Sequence, residues 1–302
     1  MTKDELLIEE MKYKRSLCWF RRDLRLSDHV ALSHATRQSE KVFLFFVFDT
    51  NILNKLKDKN DRRVSFIADS LKELEKSLES KNSALIVRYG DPEKELTKIV
   101  NEIKIEAIFL NRDYEPNAKD RDNRVLKEMS SKGVDVNSFK DQVIFEYPEI
   151  MTQQGNPFKV FTPYKNAWLK KVKEEDYLDF TCKWDRLAHK KNCKNHLWEW
   201  SLDKIGFAQN SPKIKPGEKG AKLRFSSFKK CIQNYNINRD FPAKAKRTSR
   251  LSIHLRFGTI SIRTLIRFAM KDKSIGAKTW LSELIWRDFY QTILDCFPYV
   301  VK

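Results

Sequence analysis

Seven consecutive apolar residues, 42–48 (VFLFFVF), restrict the folds open to this 302-residue chain more than any other sequence feature. The run is far shorter than the roughly 20 residues that cross a bilayer, and no longer apolar run occurs in the sequence. Its valine and phenylalanine content is typical of a strand buried on both faces of a parallel sheet. We therefore expect a globular protein with a covered sheet and without a membrane span.

Further short β-branched or aromatic segments follow the same pattern and alternate with helical stretches; they are residues 17–20, 84–88, 107–110 and 134–139. Residues 65–78 place apolar side chains along one helical face, and residues 118–129 form a second, more charged helical pattern. Repeated strand–helix–strand order predicts an α/β fold, a doubly wound parallel sheet over residues 14–140.

The second half of the sequence has a different pattern. Residues 141–200 are rich in Pro and Lys and lack clear periodicity apart from a short helix near 164–172, which predicts an interdomain connector. Helical spacing returns at residues 219–235, 247–257, 261–270 and 277–297. We expect an all-helical second domain over residues 201–302.

The charge of the chain is concentrated in that second half. Lys and Arg number 59 against 41 Asp and Glu, a net charge of +18. Residues 1–150 carry 28 basic and 28 acidic groups, whereas residues 151–302 carry 31 and 13. Residues 213–250 alone hold twelve basic and two acidic residues with aromatics between them. This density favours a polyanion such as DNA or RNA over a merely soluble basic surface.

Other patterns exclude common site types. The eight glycines form neither a dinucleotide fingerprint nor a P-loop, and the five cysteines contain no C-x-x-C pair. The acidic first ten residues lack the order of a secretory signal, which predicts a cytoplasmic protein. No metal site is predicted, because the only candidate ligands have irregular spacing: Cys182, His189, Cys193 and His196.

Hydroxyl groups cluster where the helix predicted at residues 247–257 begins. Thr248, Ser249 and Ser252 would stand beside unpaired backbone N–H groups at the positive end of the helix dipole, an arrangement that binds phosphate. The alternative is an ordinary Ser/Thr cap beside surface arginines.

The last predicted helix carries the second constellation. Trp280, Glu283 and Arg287 are spaced by three and four residues on one face, with Trp286 at its edge. One interpretation is an intrahelical Glu283–Arg287 ion pair with the tryptophans in the core. The other is a pocket wall, in which aromatic rings stack on flat ligands and the carboxylate accepts hydrogen bonds from a base edge.

Four blocks of sequence resemble the DNA photolyase and cryptochrome family, most closely the bacterial cyclobutane pyrimidine dimer photolyases. They are LCWFRRDLRL (17–26), FKVFTPYKNAW (158–168), RDFPAKAKRTSRLS (239–252) and WLSELIWRDFY (280–290). The resemblance implies an α/β antenna domain, a connector and a helical domain that binds FAD. It also implies a carbon–carbon lyase in which light-excited reduced FAD passes one electron to the dimer, splitting the cyclobutane ring, and then regains it.

The resemblance also assigns roles to particular residues. Arg239 and Arg287 would contact DNA, Trp286 would pack against the flipped dimer, and Glu283 would hydrogen-bond its pyrimidine edge, which makes Glu283 and Trp286 the implied catalytic pair. The implied FAD contacts are Tyr235, Thr248, Ser249, Arg250, Leu251, Ser252 and Trp280.

A second, folate-type antenna chromophore is implied by the family as well. Its contact in this chain would be Asn117. Members that bind folate carry Glu after this Asn, whereas here Ala118 follows.

Compared with the family, the helical domain is incomplete, and we expect a C-terminally truncated chain. Helices built to cover a flavin would then expose apolar faces, which predicts that Trp280, Leu284 and Ile285 lie in solvent. For the same reason we expect the second domain to be unstable and the chain to be weakly active or inactive. The expected partner is dimer-containing DNA, and the chain is expected to be a monomer or to combine with a complementary chain that supplies the missing helices. A non-catalytic nucleic-acid-binding chain and a cryptochrome-like blue-light sensor remain the alternative functions.

Overall fold

The computed structural model describes residues 10–241, 243 and 247–301. Five strands form one sheet in the order β3-β2-β1-β4-β5, and every neighbouring pair is parallel. The strands are β1 (Tyr13–Phe20), β2 (Ser39–Asp49), β3 (Leu85–Gly90), β4 (Ala107–Asn111) and β5 (Asp135–Phe139). The chain winds outward in both directions from the central β1, so the predicted doubly wound parallel sheet is confirmed.

The apolar run 42–48 lies in β2, next to the central strand. Leu17 of β1 pairs with Phe43, and Leu44 pairs with Leu85 of β3. Phe43 and Leu44 belong to different hydrophobic cores, one on each face of the sheet. Because alternate side chains of a strand point to opposite faces, both faces of β2 are covered, as the unbroken run predicts.

The described residues form α-helices on both faces of the sheet and beyond it. They are α1 (Val30–Gln38), α2 (Thr50–Leu53), α3 (Arg62–Glu79), α4 (Pro92–Ile103), α5 (Pro116–Ser131), α6 (Phe161–Lys171), α7 (Lys190–Cys193), α8 (Gly217–Lys229), α9 (Tyr235–Asn238), α10 (Ser252–Arg256), α11 (Ile262–Lys271) and α12 (Ile275–Cys296). Helices α1 and α3 cover one face of the sheet, and α4 and α5 cover the other. No helix of the described residues is both long enough and apolar enough to span a membrane.

A third core joins α6, α8, α11 and α12. The expectation that Trp280, Leu284 and Ile285 lie in solvent is wrong: they are 2%, 4% and 1% exposed. Phe225 and Phe228 of α8 cover the indole of Trp280, with ring centroids 6.0 and 4.9 Å away. The apolar face of α12 is therefore covered by the other helices of this core, α6, α8 and α11.

The helix predicted at residues 247–257 is wrong in its first half. Helix α10 covers only Ser252–Arg256, and Leu251 before it makes no side-chain cap hydrogen bond. Arg250 has φ 48°, a left-handed conformation that a right-handed helix of L-residues cannot include. The helix predicted at 219–235 is likewise interrupted, because α8 ends at Lys229 and a turn precedes α9.

A buried ion network fastens the helices to the sheet. Arg263 of α11 donates from Nε to Asp28 Oδ1 at 2.9 Å and from Nη2 to Asp141 Oδ1 at 2.8 Å. Arg25, which follows β1, reaches the same Asp141 oxygen at 2.7 Å. All four side chains are buried, so each charge depends on its partners. This network holds the helical core beside the end of β5.

Candidate functional site

A cavity of about 350 Å³ lies between α9, α10 and α12, close to the segment that follows β5. Helix α12 supplies one wall with residues at positions 280, 283, 284, 287 and 291, a spacing of three and four that places them on one helical face. The complete lining is Gln142, Tyr235, Ser249, Ser252, Leu255, Arg256, Trp280, Glu283, Leu284, Arg287 and Gln291.

The start of α12 fixes the position of this wall. Ser274 caps the helix, its hydroxyl accepting from the N–H of Ala277 at 3.2 Å. A Cβ at Gly276 would stand 2.0 Å from the carbonyl oxygen of Ile232, so only glycine allows the helix to approach that closely. Ile232 begins the turn that leads into Tyr235, and the close approach therefore brings Tyr235 to the same cavity as Trp280.

Most of the residues predicted for the site come together in this cavity. Its lining includes Tyr235, Ser249, Ser252, Trp280, Glu283 and Arg287. Leu251 is instead buried in the helical core, and neither Thr248 nor the exposed Arg250 belongs to the lining. Residues 242 and 244–246, within the third resembling block, lie outside the described residues.

The prediction that a helix dipole binds phosphate here is not supported by α10, which has five residues. In and just before α10, the polar residues of the lining are Ser249, Ser252 and Arg256. Sequence reasoning missed Arg256 and Gln142. Arg256 stands four residues after Ser252, a helical spacing that could have revealed it, whereas Gln142 reaches the site only through the tertiary fold.

Arginine gives the cavity its positive charge. Burial lowers the pKa of Arg287, but a guanidinium stays protonated in proteins, so the site keeps this charge. Arg287 donates through Nη1 to the carbonyl oxygen of Gln142. Arg256 donates through Nη1 to Glu115 Oε1 at 2.6 Å, and Glu115 also accepts from Arg22 at 2.6 Å. Although burial opposes the shift, these two arginines lower the pKa of Glu115 to about 2.

Glu283 forms its ion pair with Arg239, not with Arg287. Arg239 Nη1 lies 2.6 Å from Glu283 Oε1, and both side chains are partly exposed. The interpretation of a Glu283–Arg287 pair is therefore wrong, because the guanidinium of Arg287 is directed towards the connector segment at Gln142. Arg239 and Glu283, to which the resemblance assigns separate DNA contacts, thus form an ion pair with each other.

Trp286 lies on a neighbouring face of α12 and is not part of the cavity lining. Its ring stacks on Phe161 with centroids 3.6 Å apart and planes at 10°, and Tyr290 follows at 5.3 Å and 24°. We call Phe161, Trp286 and Tyr290 the aromatic stack. Trp286 is half-buried and Tyr290 is exposed, so part of the stack faces solvent near Glu283.

Asn117, the implied antenna contact, is exposed in the first turn of α5. It stands two residues after Glu115, whose carboxylate contacts Arg256 at the cavity. The first turn of α5 is therefore connected to the cavity through one ion pair.

The Cys and His residues considered for a metal do not form a cluster. No group of three or more potential metal ligands occurs in the part of the chain that the structure describes. His189 Nδ1 lies 3.0 Å from the side-chain nitrogen of Asn82, and His196 Nδ1 lies 2.9 Å from Glu102 Oε2. Cys193 is buried in the core under the sheet.

Curated relatives extend over nearly all of this chain. It is 31% identical over 295 residues to the deoxyribodipyrimidine photo-lyase of Synechococcus sp. strain PCC 6301, covering 93% of this chain and 60% of that protein. It is 28% identical over 294 residues to an uncharacterized 31.6 kDa protein of Synechococcus sp. strain PCC 6716, covering 92% of this chain and all of that protein. The chain thus spans about 60% of the length of the photo-lyase that it matches.

Solved structures resemble the fold over the same extent. A class III photolyase from Agrobacterium tumefaciens matches with a TM-score of 0.81 and 27% identity, covering 95% of this chain and 60% of that one. An archaeal photolyase from Sulfolobus tokodaii with two FAD molecules matches with a TM-score of 0.71 and 26% identity, with the same coverage. The profile described as DNA photolyase matches residues 16–182, more than half of the sequence. The chain belongs to the DNA photolyase family.

Proposed function

We propose that this chain binds FAD in the cavity between α9, α10 and α12 and takes part in the light-driven repair of pyrimidine dimers in DNA. The observation that carries the proposal is the convergence of Tyr235, Ser249, Ser252, Trp280 and Glu283 on one cavity. These residues come from three separate parts of the sequence. A common wall for them is what a bound flavin nucleotide requires.

The donor set of the cavity fits one side of FAD. Tyr235 offers aromatic surface for a ring system, and Trp280, which is only 2% exposed, belongs to the same lining. The hydroxyls of Ser249 and Ser252 and the guanidinium of Arg256 suit a diphosphate, because arginine binds phosphate oxygens through paired N–H groups. FAD bound here would supply the light-excited electron donor of the reaction.

The residues of this chain would then bind and orient the DNA. Glu283 would accept hydrogen bonds from the N–H groups of a pyrimidine edge, and Trp286 would pack against the flipped pyrimidine dimer. Arg239 binds a backbone phosphate. Its pair with Glu283 is partly exposed and stabilises the protein by about 1 kcal/mol at most, so a phosphate can replace the carboxylate.

The charge distribution supports DNA as the partner. The surplus of 18 positive charges lies entirely in residues 151–302, the half of the chain that contains the cavity and the aromatic stack. Binding through Lys and Arg releases counterions from the nucleic acid, which predicts affinity that falls steeply with salt. Phosphate contacts do not depend on base structure, so we assign selectivity for the dimer to Glu283 and Trp286.

A second chromophore forms a further part of the proposal. It would lie against the first turn of α5, where Asn117 is exposed and Glu115 connects the turn to Arg256. We assign residues 14–140 to this antenna domain, 141–200 to the connector and 201–302 to the FAD- and DNA-binding region. Exchange of Asn117 for Ala should lower chromophore retention without changing flavin retention.

Illumination of the purified chain with reduced FAD and an oligonucleotide that contains one cyclobutane dimer tests the function. We expect repaired strands in the light and none in a matched dark sample. The Glu283→Ala variant should lose repair, and Glu175→Ala, at an exposed site outside the cavity lining, should keep it. Equal binding of damaged and intact DNA without repair would instead identify a non-catalytic DNA-binding chain.

A further inference from the structure

A second cavity, also of about 350 Å³, lies on the opposite side of α12, between α6 and α11. Helix α12 contributes Lys278, Leu281, Ser282 and Ile285, which form a different face from the one that lines the first cavity. The volume is at the lower end of the range for small-molecule sites. The remaining lining residues are Lys165, Leu169, Ala269, Met270, Asp272 and Lys273.

The floor of this second cavity is aliphatic. Ala269, Leu281 and Ile285 are buried at its base, and Leu169 adds exposed apolar surface at its edge. Such a floor removes a flat ring from water at a gain of roughly 25 cal/mol for each Å² of apolar area covered. The cavity is therefore suited to a ring or another apolar group.

Its rim is positively charged. Lys165, Lys273 and Lys278 surround the aliphatic floor, and none of the three has an ion pair within the described part of the chain. Lys273 Nζ donates to the carbonyl oxygen of Met270 at 3.5 Å and keeps its positive charge. Asp272 is the only carboxylate in the lining, and its Oδ1 accepts from the N–H of Ser274 at 2.9 Å. Three ammonium groups against one carboxylate leave a net attraction for an anion.

The second cavity adjoins the aromatic stack. Lys165 Nζ lies 6.0 Å from the ring centre of Phe161, which carries the stacked Trp286. Ser282, in the cavity lining, precedes Trp286 by four residues and so lies one helical turn away on α12. A ligand in this cavity would therefore sit beside any base that rests on the aromatic stack.

We infer that the second cavity binds a nucleotide, with its base on the aliphatic floor and its phosphate among Lys165, Lys273 and Lys278. A nucleotide combines the two properties that the lining selects, a flat ring and an anionic group. Two sources are possible: a free nucleotide, or a nucleotide of a DNA strand that passes the aromatic stack. The second source rests on the proposed function, whereas the first does not.

Equilibrium binding in the dark, without flavin, tests the inference with two probes, an undamaged single-stranded oligonucleotide and free dTMP. Lys273→Ala with Lys278→Ala should weaken oligonucleotide binding and reduce the magnitude of the negative slope of log affinity against log salt by about 0.7 for each lysine. Ser282→Phe fills the cavity without changing charge, so it should weaken binding and leave the salt slope unchanged. Lys191→Ala with Lys194→Ala, two exposed lysines elsewhere, is the matched control and should keep both the affinity and the slope.

The two probes separate the sources. Loss of dTMP binding in Ser282→Phe identifies a site for free nucleotides, and an effect seen only with the oligonucleotide identifies a subsite for the DNA strand. Wild-type affinity for both probes in Ser282→Phe and in the lysine double variant would overturn the inference. If Trp286→Ala then still abolished the preference for dimer-containing DNA, the proposed function would stand without the second cavity. If the chain bound no DNA at all, the proposed function would fail, and the inference on the second cavity would then be tested by dTMP binding alone.

Discussion

Arg239 and Glu283 form an ion pair of 2.6 Å that connects the end of α9 to the cavity face of α12. The pair holds two groups of opposite charge beside the exposed aromatic stack, where a phosphate and a pyrimidine edge would have to be recognised together. A DNA strand that separates the two side chains gains a charged contact with each. If the proposed function holds, the pair keeps both groups oriented until DNA binds.

Glu283→Gln should affect recognition far more than stability. The exposed pair contributes about 1 kcal/mol or less, so the free energy of unfolding should change by no more than that. Hydrogen bonds to a charged acceptor are worth about 1.5–3 kcal/mol, and the preference for dimer-containing over intact DNA should fall roughly tenfold or more. Competition binding with the two DNAs measures this ratio. An unchanged ratio would remove Glu283 from dimer recognition.

Trp280→Ala should destabilise the helical core and at the same time remove an aromatic side chain from the cavity wall. A buried tryptophan replaced by alanine costs about 3–5 kcal/mol, because the space left by the indole between Phe225 and Phe228 cannot close completely. Urea unfolding followed by circular dichroism measures the loss. Trp280→Phe should recover part of it. A loss below about 1 kcal/mol in the alanine variant would show that this core is not tightly packed.

Arg263→Leu should weaken the attachment of the helical core to the sheet and so lower the free energy of unfolding. Removing the guanidinium leaves Asp28 and Asp141 buried without one of their partners, which costs about 3–5 kcal/mol. Arg267→Leu, one turn away, breaks a more exposed pair with Asp179 and should cost about 1 kcal/mol or less. Thermal unfolding of both variants gives the comparison. Equal losses would contradict the role given to the buried network.

Asp288 predicts a pH dependence of stability. Its Oδ2 accepts from the N–H of Ile144 at 2.9 Å and from the indole N–H of Trp168 at 3.2 Å, and its Oδ1 has no hydrogen-bond partner among the described residues. Burial raises the pKa of this carboxyl from 3.8 to about 6, although Arg287 opposes the shift. Between pH 6 and 4 the folded state therefore holds a proton that the unfolded state lacks. The contribution of this group to the free energy of unfolding therefore rises as the pH falls, because the buried carboxyl no longer has to be charged.

The comparison with Asp288→Asn isolates that effect. The difference in unfolding free energy, wild type minus variant, should rise by up to about 3 kcal/mol as the pH falls from 7 to 4. The variant keeps a neutral side chain with an acceptor oxygen at all pH values, so other titrating groups cancel in the difference. Denaturant unfolding at several pH values measures it. A difference that does not depend on pH would place the pKa of Asp288 at its ordinary value.

The sheet could be predicted because its signals are local. The unbroken apolar run in β2 and the amphipathic pattern of α3 each show, within one short segment, which side chains are buried. Helix α4 was missed even though Asp91 caps it and Pro92 occupies its first turn, two recognised start signals. Helix α1 was missed because its buried face includes Ser33 and Thr36, which interrupt the apolar pattern.

The site could be predicted only in part. Resemblance to the family identified Tyr235 and Trp280, which share the cavity. The partner of Glu283 could not be predicted, because Arg287 is its neighbour along α12 and Arg239 is brought to it by tertiary packing. The burial of Trp280 was predicted wrongly for the same reason: α8, more than 50 residues earlier in the sequence, supplies its cover.

Flavin retention tests the central claim most directly. The purified chain would be incubated with FAD, passed through gel filtration to remove free flavin, and examined by absorption spectroscopy, with Trp280→Phe and Ser252→Ala as cavity variants. We predict a flavin band at about one FAD for each wild-type chain and a weaker band in both variants. A wild-type chain that is folded by circular dichroism yet carries no flavin would contradict the assignment of this cavity to FAD.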